Sequence, residues 1–234
     1  MTDLGVLKAE AGAAAVDRFV RSGMRLGLGS GSTAARMLDA LGERLASGAL
    51  ADVAGVPTSA ATAASCAELG IPLLTLEEAG ELDIVIDGAD EIDPRLDLIK
   101  GLGGAHLREK VVAAAAREMV VVADETKIVG RLGERAPLPV EVITFALPVA
   151  ERLLRGLGWE PELRVDDGRP FVTDEGNRIL HCRREEWVDT EALAAEISQV
   201  PGVVAHGFFL GFASAAVVAT REGVQELRRP TSPP

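Results

Sequence analysis

The stretch "MVVVAD", residues 119–124, is apolar up to its final aspartate. A strand with one wet face alternates apolar and polar residues. An unbroken run suits a strand covered on both faces, as in a parallel sheet packed between helices. "ELDIVIDGAD", 81–90, carries a second such run. Between them "GAHLREKVVAAAARE", 104–118, is rich in alanine and apolar at helical spacing. The same alternation runs upstream. "LKAEAGAAAVDRFV" and "STAARMLDALGERLA" read as helices, the second capped by Ser32 or Thr33, and "MRLGLG" reads as a strand. "LADVAGVPT" and "IPLLTL" read as strands around a helix "SAATAASCAELG" that ends at Gly70. Strands alternating with helices imply an α/β fold with a largely parallel sheet. Ligands of such sheets bind beyond the carboxyl ends of the strands. Three polar or glycine-rich segments fall at that edge: 27–33, 87–93 and 100–104.

The texture changes after "ERAPLPVEVI". A strand from about 138 is followed by a helix "PVAERLLRGLG", a strand "EPELRV" and the stretch "FVTDEGNRILHC". A helix "TEALAAEISQ" and a strand "GVVAHGFFL" complete the series. That order predicts a smaller ferredoxin-like α+β domain. "AAVVAT" is a further strand that returns to the first domain. The expected division is 1–136 with 208–234 for the larger domain and 137–207 for the smaller, with "RRPTSPP" a frayed tail.

Across 234 residues the formal net charge is −12. That argues against a nucleic-acid surface, which needs a basic stripe. A few local donors in an acidic protein still suffice for a small anion. Two cysteines, Cys66 and Cys182, provide neither a disulfide framework nor a metal-binding pair. No apolar run has membrane-spanning length, and no signal-peptide order opens the chain. The expectation is a cytoplasmic protein with no membrane partner.

The three loops carry the chemistry. "GLGSGSTA", 27–34, lacks the third glycine of a dinucleotide fingerprint, because Ser32 stands there, and lacks a Walker lysine. What remains is a flexible turn into a helix that starts with hydroxyls. Unpaired N–H groups and a partial positive charge make such a helix start a phosphate cradle. The plain alternative is a capped strand-to-helix turn. "DGADEID", 87–93, puts Asp87 and Asp90 around a tight turn at the end of an apolar strand. Acid/base work, a grip on sugar hydroxyls, a divalent metal or a solvated acidic turn all fit. In "KGLGGAHLREK", 100–110, Lys100 precedes a glycine loop and Glu109 falls within the first turns of a helix, on a mostly apolar face. Desolvation would raise its pKa toward that of a useful base. The helix dipole would lower it. His106 and Glu109 share metal-like i, i+3 spacing, but no second pair accompanies them, so no metal is expected.

Taken together, "GSGSTA", "DGADEID", "KGLGGAHLREK" and "PLPVEV" resemble the A-type ribose-5-phosphate isomerase family, in the right order and across most of the chain. The resemblance implies a Rossmann-like domain with a small α+β domain, assembled as a homodimer or homotetramer. It implies interconversion of ribose 5-phosphate and ribulose 5-phosphate without a cofactor. It makes Glu109 the proton-transferring base. It assigns substrate contacts to Ser30, Gly31, Ser32 and Thr33, to Asp87, Gly88, Ala89 and Asp90, and to Lys100, Gly101, Leu102 and Gly103. Lys127 and Lys8 match further substrate lysines, Lys8 near the phosphate. Lys100 would stabilise enediolate charge, and Asp87 and Asp90 would orient hydroxyls or assist ring opening. Leu102 interrupts an expected glycine run, and His106 stands where an apolar or small residue is expected. Two other readings compete: a non-catalytic sugar-phosphate sensor, and another phosphosugar isomerase or lactonase relying on a histidine.

Overall fold

The computed structural model describes residues 4–185, 187 and 189–230. Helix α1 (Leu4–Phe19) leads into β1 (Arg25–Leu28), α2 (Ser32–Ala46), β2 (Ala54–Pro57), α3 (Ala60–Glu68) and the short α4 (Leu76–Ala79). Strand β3 (Ile84–Gly88) is followed by the two-residue strands β4 (Glu91–Ile92) and β5 (Leu98–Ile99), then α5 (His106–Ala114) and β6 (Met119–Asp124). The middle of the chain contributes β7 (Leu138–Val142), α6 (Leu147–Gly156), β8 (Glu160–Leu163), the hairpin β9 (Val165–Asp166) with β10 (Arg169–Pro170), and β11 (Arg178–Arg183). Helix α7 (Thr190–Ser198), β12 (Val203–His206), β13 (Phe208–Phe209), β14 (Ala213–Thr220) and β15 (Gly223–Arg228) complete it.

Six strands form the main sheet in the order β15-β14-β6-β3-β1-β2. All pairs are parallel except β14 with β15. Every residue of β6 is buried, as the apolar run demands. Its alternate side chains feed two cores: Val120 and Val122 pack with Leu26, Met37 and Leu41 on one face, and Val121 and Ala123 with Val85 and Val112 on the other. A second sheet has the order β12-β7-β11-β8, antiparallel throughout, with α6 and α7 contributing to its core. This is the ferredoxin-like arrangement expected from the element order. Strands β13, β5 and β4 form a small antiparallel sheet. Both cysteines are buried and free.

Four expectations need correction. "IPLLTL" forms a single bridge, Leu73 to Gly55, and no strand. Pro72 has no N–H to donate, and a capping box of Thr75 with Glu78 turns the chain into α4. The helix expected to reach 118 ends at Ala114, because Ala116 bridges to Leu82 at the sheet. Residues 171–177 form a turn, closed by Thr173 N donating to Asn177 O at 3.1 Å, so only the second half of "FVTDEGNRILHC" is strand. The tail is ordered through Arg228 in β15 and Arg229, whose guanidinium donates to Ala213 O and Leu96 O, both at 2.8 Å. Residues 231–234 lie outside the described ones. Among the described residues no helix is long and apolar enough to cross a membrane.

Candidate active site

The sheet order changes direction at β1, with β2 on one side of it and β3 on the other. Open α/β sheets hold ligands at such a switch point, beyond the carboxyl ends of the strands. A cavity of about 490 Å³ opens there. The turn after β1 supplies Ser30, Gly31, Ser32 and Thr33 to its wall, and the turn after β3 supplies Gly88, Ala89 and Asp90. Lys100, Gly101 and Gly103 come from the glycine loop, Glu109 from α5, and Lys127 from the helical turn after β6. Of the residues expected from sequence, Lys8, Asp87 and Leu102 do not line the cavity. Asp87 and Leu102 adjoin lining residues in the chain, and Lys8 bonds the lining residue Ser32.

Three buried charges meet at the floor, Lys100 and Glu109 lining it and Asp87 beneath them. Lys100 Nζ lies 3.0 Å from Asp87 Oδ2 and 3.2 Å from Glu109 Oε1, and donates to Gly88 O at 2.5 Å. Asp87 Oδ1 accepts from Ser30 N at 2.9 Å and Gly88 N at 2.7 Å. The β1–α2 turn crosses so close to this carboxylate that a Cβ on Gly29 would run into it. Asp87 Oδ2 and Glu109 Oε2 both lack a hydrogen-bond partner, and Glu109 has no counterpart to the two backbone donors of Asp87. One ammonium between two carboxylates leaves a negative charge in excess. Burial first, then repulsion from Asp87, pushes Glu109 up to about 8 against the pull of Lys100. The helix dipole left open by the sequence is outweighed, because Glu109 is only 5% exposed. Burial alone would depress Lys100, but Asp87 and Glu109 hold it above its ordinary value. Lys100 therefore keeps its proton, and Glu109 is the group able to exchange one near neutrality. Burial also raises Asp90, opposed by the Leu102 N–H at 2.9 Å and by Lys100 and Lys127.

Three helices begin at this cavity: α2, α3, and α5, whose N-cap Ala105 lines it and carries no side-chain cap. The start of α3 is filled: Ser59 accepts from Thr62 N at 3.0 Å, and Ala60 N donates to Asp174 Oδ2 at 2.8 Å. The start of α2 is open. Its N-cap is Gly31, at φ +95°, and no side chain caps it. Ser32 and Thr33, expected as caps, lie inside the first turn instead, and Lys8 Nζ donates to Ser32 Oγ at 3.0 Å. The hydroxyl of Ser30 is already committed to Thr58, Ser59 and Thr62, at 2.7, 2.8 and 2.9 Å. That hydroxyl cluster escaped the sequence reading, because its members are about thirty residues apart from Ser30 and resemble an ordinary helix start. Phe171, Val172 and Asp174, which form a further wall, were missed for the same reason of distance.

The two departures in the third loop find their places. The Leu102 side chain packs against the core of the four-stranded sheet, and its carbonyl accepts from Arg164 Nη1 at 2.8 Å. Gly101 takes φ +110°, where a Cβ would meet the His106 ring. Lys110, next to Glu109, faces away from the cavity and ties α5 down through His206 O at 2.7 Å and Phe208 O at 2.8 Å. Among the described residues no cluster of three metal-ligating side chains forms.

An enzyme of the open α/β class that moves a proton on a small anionic substrate would be built this way. Comparison with known proteins narrows that class. The family model for ribose 5-phosphate isomerase A (phosphoriboisomerase A) matches residues 54–223. The ribose-5-phosphate isomerase A of Roseiflexus sp. (strain RS-1) is 60% identical over 216 residues, covering 92% of this chain and 93% of that protein. The structure of ribose 5-phosphate isomerase A from Methanocaldococcus jannaschii superposes with a TM-score of 0.91 at 41% identity, over 97% of this chain and all of that one. A D-ribose-5-phosphate isomerase in complex with phospho-erythronic acid gives a TM-score of 0.93 at 36% identity, over 97% of this chain and 100% of that one. The chain belongs to the ribose 5-phosphate isomerase A family.

Proposed function

We propose that this chain interconverts D-ribose 5-phosphate and D-ribulose 5-phosphate, an aldose–ketose isomerisation of the pentose phosphate pathway, with Glu109 as the proton carrier. The observation that carries the assignment is the Lys100–Glu109 pair on the cavity floor, 3.2 Å apart and buried. With the sugar opened to its chain form, the Glu109 carboxylate removes the C2 proton of the aldose. The C2–H electrons form the C1–C2 double bond, and the carbonyl electrons move to O1. Lys100 and the loop amides face the growing oxygen charge. A proton passes from the O2 hydroxyl to O1, and the proton on Glu109 is delivered to C1, giving the ketose. No net oxidant or reductant is consumed. A carboxyl group with a raised pKa suits both halves of that exchange.

The phosphate fits the α2 end. Open N–H groups, the helix dipole, Ser32, Thr33 and Lys8 favour a dianion there. Asp90 and Lys127 fit sugar hydroxyls between the two ends, and Asp87 acts through Lys100. None of the three histidines lines the cavity, which weighs against chemistry relying on a histidine. The division into domains 1–136 with 208–234, and 137–207, belongs to the same reading and is supported by the separate six-stranded and four-stranded sheets. Assembly as a homodimer or homotetramer in the cytoplasm completes the reading. The assembly is supported by Phe145, 94% exposed close in sequence to the exposed Ile143 and Val149, and light scattering tests it. Ribulose 5-phosphate formation from ribose 5-phosphate after exhaustive chelation is the direct test. Full activity is expected. A folded but inactive protein overturns the activity, and a strict need for added Mg²⁺ or Zn²⁺ overturns the assignment to side chains alone.

A further inference from the structure

Behind the cavity lies a second pair of ionisable groups that the reaction does not use. His106 opens α5, one turn before Glu109, and is completely buried. Neither of its ring nitrogens has a hydrogen bond of good geometry, and the Ala205 backbone is a competing partner. Glu141, in β7, is equally buried. Its Oε1 accepts from Thr173 Oγ1 at 2.8 Å and from Asn177 Nδ2 at 3.0 Å. Its Oε2 has no hydrogen-bond partner and lies 3.9 Å from His106 Nε2. Two buried polar atoms that face each other unbonded are costly, and a move of about 1 Å would bring them to hydrogen-bond distance.

Each partner holds one wall of the cavity. The His106 ring fills the space beside Gly101, where a Cβ would lie 2.6 Å from its Nδ1. It therefore backs the residue that follows Lys100. Glu141 holds Thr173, which stands between the wall residues Val172 and Asp174. The donor and acceptor roles are complementary. Burial pushes the imidazole down to about 3; Lys110, His206 and Lys100 add to this, and the Ala205 backbone opposes it. Burial raises Glu141; Asn177 and Thr173 oppose this, and Glu175 and Asp174 add to it. A neutral imidazole still carries one N–H, and a carboxylate oxygen is its acceptor.

We propose that His106 and Glu141 are a positioning pair: an Nε2–H···Oε2 hydrogen bond between them clamps the glycine loop to segment 171–174 and so fixes Lys100 and Glu109 around the substrate. The pair touches neither substrate nor reacting atoms. Its kinetic signature rests on the proposed role of Glu109; the bond itself does not.

The test compares wild type with His106→Leu, His106→Gln, Glu141→Gln and the double variant His106→Leu/Glu141→Gln. His106→Leu is expected to lower kcat about tenfold with KM changed less than threefold. His106→Gln keeps a side-chain N–H and is expected to recover to within threefold of wild type. Adding Glu141→Gln to His106→Leu should cost nothing further. In ¹⁵N-histidine spectra, His106 should carry its proton on Nε2, and that resonance should move in Glu141→Gln. The proposal is overturned by wild-type kcat in His106→Leu, by equal losses in the Leu and Gln variants, or by multiplying effects in the double variant. A proton on Nδ1 overturns it also when a variant fails to fold. An inactive wild type with the Nε2 proton in place would instead remove the isomerase reading and leave the bond standing.

Discussion

At the Lys100 end of the cavity the charged groups are buried and already face one another; at the α2 end the donors are open. Lys100, Asp87 and Glu109 sit within 3.2 Å contacts away from water. Lys8 is half-buried and Ser32 exposed, and Gly31 leaves the helix start uncapped. The difference separates two jobs. Proton exchange needs a carboxyl group whose pKa is set by burial. Holding a dianion needs donors that lose little by leaving water. The start of α3 at the same cavity, by contrast, is taken up by Ser59 and Asp174.

Breaking the buried end should cost most. Glu109→Gln is expected to lower kcat by roughly 10²- to 10⁴-fold, the usual worth of a general base, with KM within a few-fold. Steady-state kinetics check this, and near-normal turnover would remove Glu109 from the role. The pH profile sharpens the same end. The base works deprotonated, so kcat/KM of the free enzyme should climb with pH and level off once Glu109, raised to about 8, has ionised. A profile flat from pH 6 to 9 would contradict that. The open end should respond less. Lys8→Met is expected to raise KM for ribose 5-phosphate about tenfold, as for one exposed charge-assisted hydrogen bond, while leaving kcat and the position of the pH limb in place. An altered limb would mean the two ends are not separate.

Much of this was legible in the chain, and the exceptions have a common cause. "MVVVAD" and "STAARMLDALGERLA" gave their elements to the residue, because burial on both faces and helical periodicity are local signals. The three loops were legible as a site because strand ends and glycines mark them. Local pattern misled where a partner far along the chain decides. "IPLLTL" looks like a strand until Gly55 offers only one bridge. Ser32 and Thr33 look like caps until Gly31 takes that position. The pKa of Glu109 was open because the sequence shows the helix dipole and not the depth of burial. Thr173 and Asp174 were invisible as site residues because the turn at 171–177 brings them to Glu141 and to the start of α3 from far along the chain.

The main sheet carries one consequence for synthesis. Strand β14 lies between β6 and β15, so the sheet lacks its sixth and fifth strands until residues 213–228 have left the ribosome. The four-stranded unit is made entirely of earlier residues, from β7 to β12. During vectorial synthesis it can close first, while β6 still presents an unpaired edge of buried valines. Such an edge is open to association with other chains. Completion of the carboxyl-terminal hairpin is therefore the step that ends the nascent chain's exposure to aggregation.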